Sequence, residues 1–84
     1  MNAPVLRSFL KDVLLSGVGV ISTRKLLWLI GWGQDRPGAW RDLLDHWKEV
    51  GGEPGALRGL EINDMIVLTT GSEIEPVSKW ANET

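Results

Sequence analysis

Apolar residues recur at helical spacing in three stretches of the chain and cluster without that spacing in a fourth. The most regular set is Trp40, Leu43, Leu44 and Trp47, at i, i+3, i+4 and i+7. That stripe belongs to a helix with one buried face and predicts a helix over residues 36–50. Asp35, ahead of Arg36 and Pro37, puts an acceptor side chain before a proline whose backbone angle suits a first helical turn. Gly51 and Gly52 close the stretch, since glycine takes a left-handed conformation at a helix end at no steric cost. A shorter helix precedes it, with Ser22 or Thr23 as N-cap and Leu26, Leu27 and Ile30 before Gly31. At the N-terminus, Asn2-Ala3-Pro4 reads as a helix start. Leu6, Phe9, Leu10, Val13 and Leu14 then form a core stripe that ends near Ser16-Gly17, with Arg7, Lys11 and Asp12 off it and in solvent.

Between the first two helices, Val18 to Ile21 suits a short strand or an extended connector. Residues 32–38 make a long Gly- and Pro-containing turn, and residues 51–55 make a second break. Met65 to Thr70 has the β-branched and apolar content of a strand, ended by Gly71. Leu57 to Ile62 reads as its hairpin partner across Asn63-Asp64, or alternatively as a short helix. The predicted fold is therefore α+β and mainly helical: three helices followed by a β-hairpin. Residues 1–71 form the domain, and residues 72–84 are a polar, acidic tail whose apolar points are Ile74, Val77 and Trp80.

A chain of 84 residues suffices for one domain with a modest core. It has no cysteine, so disulfides and thiolate metal sites are excluded. No stretch approaches the roughly 18 consecutive apolar residues of a membrane span. The N-terminus lacks the basic-then-apolar pattern of a signal peptide, which makes the expected location cytoplasmic. Formal net charge is −2 but unevenly spread. Residues 1–41 carry six basic and two acidic residues, whereas residues 42–84 carry three basic and nine acidic. An anionic partner would approach the N-terminal part.

The order helix, extended piece, helix, turn, helix, hairpin resembles the winged helix-turn-helix family. The likeness is carried by Ile21 to Leu27, Gly31-Trp32 and Trp40 to Gly51, and it covers roughly residues 5–70 as a pattern. In that family the third helix enters the DNA major groove and the hairpin touches the backbone. The resemblance thus implies that Arg36, Arg41, Asp42, Asp45 and His46 face DNA, with Arg58 on the wing. The chain departs from the family in its longer turn and in the outward face of its third helix. That face carries Asp42, Asp45 and Glu49, with Arg41 and Lys48 on one flank and His46 on the other. Carboxylates repel phosphates, so Arg24, Lys25, Arg36, Arg41 and Lys48 must supply the cations. Binding would be weak and salt-sensitive, and would call for a homodimer.

Five tryptophans are many for so short a chain. Trp40 and Trp47 lie on the buried stripe, whereas Trp28 falls off its helix's apolar side, Trp32 begins a loop and Trp80 sits in the tail. Those three suit either a cap on a small core or a partner surface, because Trp is enriched at interface hot spots. Asp42 and His46 have the four-residue spacing of paired metal ligands, but no third ligand is evident and a solvated acidic face explains them. No nucleophile motif or phosphate loop appears, so neither catalysis nor a cofactor is expected. Two functions remain: a small DNA-binding regulator, or a protein-interaction module using Trp28, Trp32, Trp80 and the carboxylates of Asp42, Asp45 and Glu49.

Overall fold

The computed structural model describes residues 2–70 and 76–82. Its elements are α1 (Ala3–Ser16), β1 (Val18–Ser22), α2 (Thr23–Ile30), α3 (Pro37–Glu49), a single 3-10 turn (Pro54–Ala56), β2 (Arg58–Ile62), β3 (Met65–Thr69) and α4 (Val77–Asn82). The fold is α+β, with a hairpin following the three longer helices. Gly71 as a strand end and Ile74 as an apolar point of the tail lie outside the described residues.

The helix starts follow from local hydrogen bonding. Asn2 caps α1 by accepting from the Val5 amide at 3.2 Å, and Pro4 occupies the first turn, where a missing N–H costs nothing. Ser22 caps α2 by accepting from the Lys25 amide at 3.1 Å. The start of α3 differs from the expectation. Its cap residue is Arg36, with no side-chain cap bond, and Asp35 Oδ1 instead accepts from Trp40 Nε1 at 2.7 Å. The buried indole N–H needs a partner and takes the Asp35 oxygen, while the Ala39 amide donates to the Arg36 carbonyl at 2.9 Å.

β1 pairs antiparallel with β3, and β3 with β2, giving the order β1-β3-β2. The extended connector is therefore an edge strand, and residues 58–62 are strand rather than helix. A two-residue turn joins β2 to β3, with Asn63 at φ 54° where a hairpin of this length favours glycine or asparagine. Alternation places Ile21, Ile66 and Leu68 on the inner face of the sheet.

Against that face lie Leu6, Leu10 and Val13 of α1, Leu26, Leu29 and Ile30 of α2, and Trp40, Leu43 and Trp47 of α3. Burying one such side chain contributes about 1.5–3 kcal/mol, so these residues dominate the stability. Part of the tail completes the core. Val77 and Ala81 of α4 are buried, the Val77 amide donates to the Leu57 carbonyl at 2.9 Å, and Trp80 meets Trp40 edge-on with ring centroids 5.2 Å apart. Trp80 lies on Gly59, where an added Cβ would come within 2.5 Å of the ring.

Candidate functional site

The outward face of α3 is less acidic in effect than its sequence suggests. Asp45 and Glu49 are exposed together with Arg41 and Lys48. Asp42 does not share that face. It is half-buried, and its Oδ2 accepts from Trp32 Nε1 at 2.7 Å. Trp32 correspondingly is no free loop aromatic. It packs against the core and crosses Gly38 so closely that a Cβ there would stand 2.5 Å from the ring. The half-buried His46 accepts at Nδ1 from Arg7 Nε at 3.4 Å, and Arg7 also forms an ion pair with Glu49. Asp42 and His46 thus serve different partners. Arg7, read from the sequence as simply solvated, links α1 to α3.

The cations named for DNA are divided among several surroundings. Arg41 Nε donates to the Ala81 carbonyl at 3.0 Å. Arg36 donates twice to Gln34 Oε1, at 3.0 and 2.8 Å. Arg58 is half-buried on β2, opposite Pro76. Arg24 and Lys25 are exposed side by side at the start of α2, and Lys48 is exposed near the end of α3.

The outer face of the sheet was not anticipated. Its cross-strand rows are Val18–Thr69–Arg58, Val20–Val67–Leu60 and Ser22–Met65–Ile62. Six of these nine side chains are apolar. Five of the six stand at 40% (Met65) to 57% (Val20) exposure, and Val67 is half-buried at the centre. One-sided antiparallel sheets normally alternate apolar-in with polar-out, so apolar residues on both faces mark a surface that can bury a second contact. The signal was present in the unbroken run Met65 to Leu68, which does not alternate.

A separate cleft of about 550 Å³ opens between α2 and the loop over residues 31–36. Leu27, Trp28 and Trp32 give it apolar walls, and Arg24, Asp35 and Asp64 stand among its polar lining. Trp28 is 60% exposed, the most open of the indoles whose burial is described. Among the described residues, no helix is long and apolar enough to cross a membrane, and no three His, Asp or Glu side chains gather at metal-binding distance. Compared with known proteins, the chain matches no family model, no curated protein and no solved structure.

Proposed function

We propose that the chain is a small, non-enzymatic module of winged-helix type that binds another protein through the outer face of its sheet. The observation that carries this reading is the six-residue apolar surface of Val18, Val20, Leu60, Ile62, Met65 and Val67. An apolar face with a single cation, Arg58, suits a protein surface. It does not suit phosphates, which need several cations, or a lipid surface, which favours a basic rim around apolar residues. The exposed carboxylates of Asp45 and Glu49 on α3 add to the case against DNA.

Site-specific photo-crosslinking in cells tests the reading. A photoreactive residue at Ile62 should give a discrete adduct with another polypeptide, Leu60→Glu should abolish it, and the same probe at exposed Lys11 should give none. An adduct that survives Leu60→Glu would overturn the proposal, as would the absence of any adduct at Ile62.

The DNA reading keeps one supporting observation, the adjacent exposed Arg24 and Lys25. It requires duplex binding that falls steeply as salt rises. On the protein-binding reading, anisotropy with mixed-sequence duplex shows no such slope.

A further inference from the structure

The cleft beside α2 has a chemistry that the sheet face does not share. Its two indoles are held differently. Trp32 is fixed by its N–H bond to Asp42 and by its contact with Gly38, whereas Trp28 projects largely into solvent. Both line the same space, together with the aliphatic side chain of Leu27. The volume, about 550 Å³, falls within the range of small-ligand sites. Among the charged lining residues, two carboxylates (Asp35 and Asp64) oppose one guanidinium (Arg24). Arg36 is turned onto Gln34 and does not line the cleft.

We propose that this cleft binds an organic cation of the quaternary-ammonium class, independently of any partner on the sheet. An indole face is the negative pole of the ring's quadrupole and attracts a cation, most strongly when that cation sheds little hydration. A methylated ammonium meets this condition, because its charge is spread over methyl groups that also pack on Leu27 and the rings. The carboxylates of Asp35 and Asp64 complement the charge. Asp35 does so with its Oδ1 already engaged by Trp40.

The opposite occupant, a small anion at the start of α2, has lost much of its support. The Thr23 amide donates to the Asp64 carbonyl at 2.7 Å and the Lys25 amide to Ser22 Oγ at 3.1 Å, so these donors are not offered to a ligand. Arg24 remains, and its removal separates the two cases.

The test titrates the intact protein with choline and, separately, with 3,3-dimethylbutan-1-ol, which has the same shape without the charge. Binding is followed by NMR at the indole N–H signals of Trp28 and Trp32. Choline is expected to shift both signals in the millimolar range, and the neutral alcohol to bind about tenfold more weakly. Trp28→Leu keeps an apolar wall but removes the ring, and should weaken choline by about tenfold. Asp35→Asn and Asp64→Asn should each weaken it by about threefold, while Arg24→Ala tightens it. Three results would overturn the proposal: equal binding of the neutral alcohol, no choline-dependent shift at either indole, or inorganic phosphate shifting these signals in a manner lost in Arg24→Ala. None of these readouts involves Val20 or Ile62, so the outcome is independent of the sheet-face crosslinking.

Discussion

Trp32, Trp40 and Trp47 each direct the indole N–H to an acceptor supplied by a nearby stretch of chain: Asp42, Asp35 and the Glu53 carbonyl, the last at 2.8 Å. An indole in a core needs such a partner, since an unpaired buried donor costs about 1–3 kcal/mol. Asp35→Ala, which leaves the Trp40 N–H without its acceptor, should therefore destabilise the protein by about 1–2 kcal/mol in urea unfolding. Asp35→Asn retains an oxygen at the same place and should change stability far less. Equal losses in the two variants would show that charge, rather than hydrogen bonding, is what matters at Asp35. The sequence suggested a helix cap here because Asp35 lies just before Pro37. A donor five residues further on competes for the same oxygen, and only packing brings it within reach.

The short helix α4 is held through side chains more than through its own backbone, since six residues are too few for a helix to persist alone. Its anchor is Trp80, set against Trp40 and accommodated by the missing side chain of Gly59. Trp80→Ala should lower the unfolding free energy by about 2 kcal/mol, less than a fully buried Trp would lose, because the ring is half-buried. Hydrogen exchange should show α4 opening first in that variant. If the urea midpoint does not move, Trp80 contributes no packing energy. The three longer helices were legible element by element, because each has an apolar stripe of period 3.6 and a recognisable end. Residues 57–62 were ambiguous, because Leu57 and Leu60 are spaced as on a helix whereas Leu60 and Ile62 are spaced as on a strand. Pairing with β3 resolves them as strand.

Across the whole molecule, protection should follow the sheet order. β3 is paired on both sides and carries the fully buried Ile66 and Leu68, whereas β1 and β2 are edges of the sheet. Amide exchange should consequently be slowest for β3 residues that bond to both neighbours, with α1 and α3 next, and faster at the outward-facing amides of β1. Uniform protection across the three strands would mean that β1 is covered by something other than this chain. Charge acts at this scale too. The basic first half meets the acidic second half in the ion pair of Arg7 with Glu49, and Arg41 is engaged by the Ala81 carbonyl. The exposed Arg7–Glu49 pair contributes little stability, but both contacts remove cations from the set available to an anionic partner.

The sequence by itself determined where the three longer helices lie, that Met65 to Thr69 is a strand, and which face of residues 37–49 is buried. These properties depend on local periodicity and on the conformational limits of single residues. Tertiary structure alone decided that Asp42 turns to Trp32 and Asp35 to Trp40, and that the extended piece after α1 joins the hairpin. It also decided that six apolar side chains from three separated strands form one surface, and that Trp28 and Trp32 line one cleft. Each of these depends on atoms distant in sequence or on a choice among competing acceptors, and no spacing along the chain records that choice.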